Sequence, residues 1–221
     1  MVNILNNNVL KNSLSVLRDK NTSPSLFREY IRLAGYLSTY EILGKELNLE
    51  KKPIETPITK TEGFFFNQRI LQIVIMRAGL PFAEGGGVLL DQLEIKRDIG
   101  VVDAQRIEEK VNGLDFEIEI SSFKVPNPKD SYTIIYDPML ATGATMIEVL
   151  RRIESKEKPL KIIVNSIISA SFGVDNINKF FPEVSIYTLS LDRGGTYKGL
   201  NKRGYIVPGL GDCGDRAFGT Y

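Results

Sequence analysis

Apolar side chains recur along the chain with two periods, one helical and one of two residues, and their order predicts the elements. Leu26, Tyr30, Leu33, Leu37 and Tyr40 repeat at helical spacing and stop near Gly44. Thr22, Ser23 and Pro24 ahead of them supply a capping hydroxyl and a proline for the first turn. Residues 54 to 61 read as a strand interrupted by Pro57, which places it near a sheet edge. The run from Arg69 to Met76 is almost continuously apolar, as a buried parallel strand requires. It leads through Arg77, Ala78 and Gly79 into a helical stretch from Pro81 toward Leu93, and residues 99 to 104 form the next strand. Phe116, Ile118 and Ile120 alternate with Glu117 and Glu119, the pattern of a strand with one wet face. With its return past Pro126 and Pro128 it makes a hairpin over residues 115 to 129, either a plain edge hairpin or an arm that closes as a lid.

The second half is more regular. Strands at 132–136, 161–168 and 184–191 alternate with helices at 145–154 and 173–180. Such alternation predicts an α/β fold, a central and mostly parallel sheet flanked by helices, with right-handed crossovers. In such a sheet the chemistry lies in loops beyond the carboxyl ends of the strands, here after Met76, Tyr136 and Leu191. The length suits one domain spanning residues 1–221.

Charge and composition narrow the chemistry. With 28 basic and 27 acidic residues the net charge is +1, so no long-range field gathers nucleic acid or anionic lipid, and any anion site must be local. One cysteine excludes an intrachain disulfide and fits a reducing compartment. The Asn-rich start is unlike a signal peptide, and no apolar run approaches the roughly 20 residues that span a bilayer. A cytoplasmic protein is therefore expected. The absence of histidine removes Ser-His-Asp and Cys-His catalysis and histidine-ligated zinc. A metal here would be a hard cation held by oxygen, with Mg²⁺ on a phosphorylated substrate the natural case.

Two segments carry candidate chemistry. From Ile134 to Met146 a hydrophobic strand ends at Asp137, passes through small residues and starts a helix at Thr145. Backbone N–H groups and a helix N-terminus in this arrangement seat a phosphate, and Asp137 is placed to accept bonds from sugar hydroxyls. The alternative is an ordinary strand-to-helix turn capped by Thr145. The lysine of a Walker loop is missing. From Gly204 to Thr220, Gly209, Gly211 and Gly214 match a Gly-x-Gly-x-x-Gly pattern, but too little chain follows for a dinucleotide fold. Glycines here let the backbone approach a flat ring and read its polar edge. Cys213 is most simply a small apolar filler; facing a pocket, it would be open to thiol reagents.

The segment Asp137-Pro-Met-Leu-Ala-Thr-Gly143 resembles the motif by which uracil phosphoribosyltransferases bind 5-phosphoribosyl 1-diphosphate (PRPP). That family keeps one acidic residue followed by proline, and its usual Gly-Gly-Ser continuation is Gly143-Ala144-Thr145 here. Gly209-Leu-Gly-Asp-Cys-Gly-Asp215 resembles the family's uracil signature, with Cys213 in the place of an alanine. Ile75-Met-Arg-Ala-Gly79, Arg106 within residues 103–108, and parts of residues 15–57 are similar as well.

The resemblance implies a type I phosphoribosyltransferase fold that joins uracil to PRPP, giving UMP and diphosphate. It assigns PRPP to Arg77, Arg106, Asp137, Pro138, Met139, Leu140, Ala141, Thr142, Gly143, Ala144, Thr145 and Asp212, with Arg77, Arg106 and Asp137 catalytic. Uracil falls to Ile206, Gly211, Asp212 and Cys213, and Mg²⁺ comes mainly through PRPP rather than a protein cage. A homo-oligomer, dimer or tetramer, and a GTP or CTP effector also follow from the resemblance. Three other readings stay open: a phosphoribosyltransferase for another base, a regulatory RNA-binding protein of related fold, and a catalytically silent ligand sensor. No nucleic acid or membrane partner is expected on the first reading.

Overall fold

A computed structural model describes residues 1–112 and 114–220, with residues 108–112 and 115 described by backbone alone. In chain order the elements are β1 (Val2–Ile4), α1 (Asn8–Arg18), α2 (Pro24–Glu46), β2 (Glu50–Glu55), β3 (Lys60–Phe65) and β4 (Arg69–Met76). Then come α3 (Gly79–Gln92), β5 (Arg97–Asn112), β6 (Asp115–Lys124), β7 (Ser131–Tyr136), β8 (Met139–Leu140) and α4 (Ala144–Glu154). The last are β9 (Lys161–Ala170), α5 (Ser171–Phe180), β10 (Ser185–Asp192) and α6 (Cys213–Phe218). Eight strands form one sheet in the order β1-β10-β9-β7-β4-β5-β6, with β8 alongside β9. Its pairs are parallel except β5 with β6.

Alternation along the central strands builds a core on each face. Ile70 and Val74 of β4, with Ile134 and Tyr136 of β7, face a cluster covered by α1, α2 and α3. Leu71, Ile73, Ile75 and Ile135 face the opposite cluster, under α4 and α5. Because both faces are covered, β4 has no wet face and its apolar run is unbroken. The parallel strands all end at one edge, which collects the loops after Met76, Tyr136 and Asp192.

The expected α/β architecture is present, and three local expectations need correction. The stripe read from α2 lies off its buried face: Leu26 is 46% exposed and Tyr40 63%, Leu33 is exposed too, and only Tyr30 and Leu37 pack partly against the core. The buried face carries Phe27, Ile31, Ala34, Gly35, Ser38, Thr39, Ile42 and Leu43. Bulk misleads here, because the inner face needs small residues where α3 crosses. Residues 54–61 are not one strand but the end of β2, a turn and the start of β3. Thr56 accepts the N–H of Thr59 at 3.0 Å inside that turn, so Pro57 sits in the turn rather than interrupting a strand. The expected hairpin at 115–129 is the edge of the main sheet, and β5 extends to Asn112, well past Ala104, because β6 pairs with it along most of that length. Neither β1 nor α1 was expected from the pattern.

Helices α2 and α3 approach backbone to backbone. A Cβ on Gly85 would lie 1.9 Å from the Arg32 carbonyl oxygen, and one on Gly35 would lie 1.9 Å from that of Phe82. Alanine at Gly85 gains helix propensity but forces two rigid helices apart. We expect Gly85→Ala to destabilise the fold by about 2 kcal/mol, lowering Tm by roughly 4–8 °C, as read by thermal unfolding. An unchanged Tm would mean that the helices separate at no cost.

Candidate active site

The phosphate loop follows from how β7 ends. Hydrogen bonding continues one residue past the strand, the Asp137 N–H donating to the Asn165 carbonyl at 3.1 Å. The Asp137 carboxylate then accepts the Met139 N–H at 3.3 Å. β8 keeps the chain on β9 for two residues, and Asn176 Nδ2 pins the loop by donating to the Thr142 carbonyl at 3.0 Å. Gly143, at φ 82°, turns the chain into α4. Gly143 at the N-cap has no side chain to offer α4; Thr142 Oγ1 accepts the Ala144 N–H at 3.3 Å, and the N–H groups that follow it in the first turn have no side-chain cap. Thr145 lies inside the first turn and is not the cap, so the ordinary capped turn is not what forms. The open N–H groups and the helix dipole make a seat for an anion. Arg106, Asp137 and residues 139–146 line a small concavity over it.

Arg77 follows the carboxyl end of β4, after a Met76–Arg77 peptide that is cis. Its Nη2 lies 3.2 Å from Asp215 Oδ1, so the loop after β4 meets the helix α6. Arg106 projects from β5, its guanidinium 4.8 Å from the centre of the Phe116 ring. Arg106 thus lines the seat, while Arg77, after the neighbouring strand, faces α6.

The glycine segment closes the same edge. Asp212 caps α6 by accepting the Asp215 N–H at 2.8 Å. Ile206 and Cys213 are buried in the core beneath it, while Gly211 and Asp212 stay exposed. A Cβ on Gly214 would lie 3.7 Å from Arg77 Nη2, a second approach of α6 to the loop after β4. Of the residues singled out from the sequence, Arg77, Arg106, Asp137, the 138–145 loop, Gly211, Asp212 and Cys213 gather at one sheet edge.

Several supports were not visible in the sequence reading. Arg18 donates to Asp192 at 2.6 and 3.0 Å and to the Gly209 carbonyl at 2.9 Å. The Gly209 N–H in turn donates to Asp192 at 3.0 Å. Burial alone would raise the Asp192 carboxyl, but bonds from Arg18, Ser190 and Gly209 outweigh it and hold the group below its ordinary range. Arg216 donates to the carbonyls of Leu210, Leu17 and Asp19 and stacks 4.2 Å from the Phe27 ring centre. A basic residue after a glycine run was the available signal, but two of its three carbonyl partners lie almost 200 positions away.

Ionisation follows from enclosure. Burial pushes the Asp137 carboxyl up to about 6, against the Met139 N–H and the charge of Arg106. Burial, then the charges of Asp137 and Asp212, push the Cys213 thiol well up. Since the reactive species is the thiolate, Cys213 should be inert. We expect no reaction of folded protein with a bulky aromatic disulfide reagent at pH 8, and one thiol titrated after unfolding; rapid labelling of the folded chain would place Cys213 at the surface. For Asp137, a folded pKa of about 6 exceeds the unfolded value of roughly 4, so the folded state binds the proton more tightly. The stability this confers is complete below about pH 4 and is lost as pH rises through about 6. Asp137→Asn should therefore be more stable than the parent at pH 8 by about 1–3 kcal/mol, the difference closing below about pH 4, in urea denaturation series. A difference independent of pH would contradict the enclosure.

Comparison with known proteins agrees with this geometry. The family model described as uracil phosphoribosyltransferase matches residues 4–220. Uracil phosphoribosyltransferase from Methanococcus vannielii is 42% identical over 95% of this chain and 86% of its own length. The enzyme of that name from Thermococcus gammatolerans is 39% identical over 94% of this chain and 88% of its own. The solved structure of the AQ2163 protein from Aquifex aeolicus superposes with a TM-score of 0.85 at 33% identity, covering 99% of this chain and 98% of that one. A match of this extent, on a chain whose phosphate loop and glycine segment meet at one sheet edge, makes this protein a member of the uracil phosphoribosyltransferase family.

Proposed function

We propose that the chain transfers the 5-phosphoribosyl group of PRPP to N1 of uracil, releasing diphosphate and forming UMP. The observation that carries this reading is the start of α4, with no cap from its Gly143 N-cap, sharing one concavity with Asp137 and Arg106, while Arg77 after β4 reaches Asp215 of α6. On this reading the 5-phosphate lies on the N–H groups of residues 141–145, with the Thr142 and Thr145 hydroxyls beside it. Asp137 holds the ribose hydroxyls and faces positive charge developing on the sugar. Arg77 and Arg106 stabilise the departing diphosphate. The backbone at Gly211 to Cys213, over Ile206, reads the uracil edge, and Asp212 lies between base and PRPP. The C1–oxygen bond to diphosphate breaks as the N1–C1 bond forms, and the N1 proton leaves. No covalent nucleophile is needed, which suits a chain without histidine. Catalysis is positioning plus electrostatic stabilisation.

Among the described residues no three carboxylate, cysteine or histidine side chains gather into a metal cage. Mg²⁺ would come with the diphosphate, with the exposed carboxylate of Asp212 at its edge. The ion would neutralise charge on the leaving group. Exposure of Leu26, Leu33 and Tyr40 along α2, and a β2–β3 hairpin exposed along nearly its whole length, support a homo-oligomer, dimer or tetramer, of single-domain subunits. No helix among the described residues is long and apolar enough to cross a membrane. The reading includes a cytoplasmic location, no nucleic acid or membrane partner, and a GTP or CTP effector on the family resemblance alone.

The test is nucleotide formation from PRPP and Mg²⁺ with uracil, cytosine, hypoxanthine and orotate offered separately. We expect UMP from uracil and no nucleotide from the others, because a site that pairs with one base edge leaves buried groups unmet by another. Faster turnover of a different base would assign the chain to that base. Failure with all four, alongside tight and steeply salt-dependent RNA binding, would favour the regulatory reading.

A further inference from the structure

Phe116 lies outside every residue assigned above, yet it touches two parts of the site. Arg106 of β5 pairs in register with Ile118 of β6, and Phe116 is two residues from Ile118, on the same face of that strand. Its ring therefore reaches diagonally across the strands to the guanidinium, 4.8 Å from ring centre to Arg106 Cζ. The edge of the same ring presses on the backbone of Gly204. A Cβ built there would stand 2.9 Å from Phe116 Cζ and 3.0 Å from Cε2. Gly204 has φ 78° and donates to the Asn201 carbonyl at 3.0 Å, closing the turn that sends the chain toward Ile206 and Gly211. A side chain at this position would collide with the ring and strain the backbone at once. One aromatic residue thus bears on the arginine beside the phosphate loop and on the turn that precedes the glycine segment.

We propose that Phe116 is a positioning residue: its face holds Arg106 over the phosphate loop, and its edge fixes that arrangement to the turn at Gly204. The inference rests on the reading of Arg106 as a ligand of diphosphate. A free arginine side chain samples many rotamers, and a ring beneath the guanidinium removes part of that freedom before the anion arrives. The gain is in PRPP binding, not in the chemical step.

The test uses Phe116→Leu and Phe116→Met, which keep an apolar contact at Gly204 but remove the aromatic face. Each is made in the parent and in an Arg106→Ala background, and unfolding midpoints are recorded for all. PRPP affinity is measured by titration calorimetry with Mg²⁺, and kcat and the uracil KM by UMP formation. In the parent, both variants should weaken PRPP binding about threefold to fivefold. The kcat and the uracil KM should change less than twofold. In the Arg106→Ala background neither variant should weaken PRPP binding further. Equal weakening in both backgrounds, or none in the parent, overturns the proposal. If Arg106→Ala alone leaves PRPP affinity unchanged while UMP still forms, the role given to Arg106 fails, and that of Phe116 with it, but the transferase reading stands.

Discussion

Asp192 is 4% exposed, and the geometry of the glycine segment depends on what surrounds it. A carboxylate so enclosed is costly unless its lone pairs are met. Arg18 meets two, Ser190 one and the Gly209 N–H another. Because Arg18 also donates to the Gly209 carbonyl, both polar groups of one peptide residue are tied to one ion pair. Between β10 and α6 the chain has no regular element, only turns and isolated bridges. Such a segment has no ladder to fix it, so a local anchor must, and the Asp192 node is that anchor. Removing Arg18 would strand the Asp192 charge in the core, an outcome much worse than never having built the pair.

A second arginine repeats the principle from the other end. Arg216, within α6, satisfies three carbonyls drawn from the glycine segment and from the end of α1, and its planar group stacks on Phe27 of α2. Bidentate, flat and permanently charged, guanidinium suits such crossings where lysine would not. The two braces hold a mostly irregular segment rigid enough to present backbone groups to a ligand, which is what recognition by main chain demands.

How much of this the amino-acid sequence disclosed depended on whether the relevant physics was local. The run at β4 is apolar because both faces are covered, and covered strands read the same from sequence as in space. The loop after Tyr136 was legible because an acidic strand end, small residues and a helix start are consecutive. The inner face of α2 was not, since Ala34, Gly35, Ser38 and Thr39 are chosen for closeness rather than hydrophobicity. α1 hid behind an Asn-rich start whose Asn7 is in fact its cap, accepting the Leu10 N–H. Cys213 reads from the residues as a small apolar filler and is buried in α6, its side chain turned inward, although the resemblance sets it beside uracil. The cis peptide at Met76–Arg77 has no proline to announce it. Arg18 and Asp192 stand 174 positions apart, a separation across which no spacing rule operates.

That same separation has a consequence for synthesis. β1 is a three-residue edge strand whose ladder partner is β10, and the N-terminal ammonium donates to the Val184 carbonyl across 183 positions. Made well before β10, these residues find their hydrogen-bond partners only once that strand has been synthesised. Loop closure over such a distance is slow relative to neighbouring contacts. During synthesis the opening strand and the arginine at the end of α1 therefore wait unpaired while the central strands, whose partners lie nearer in sequence, become available to one another.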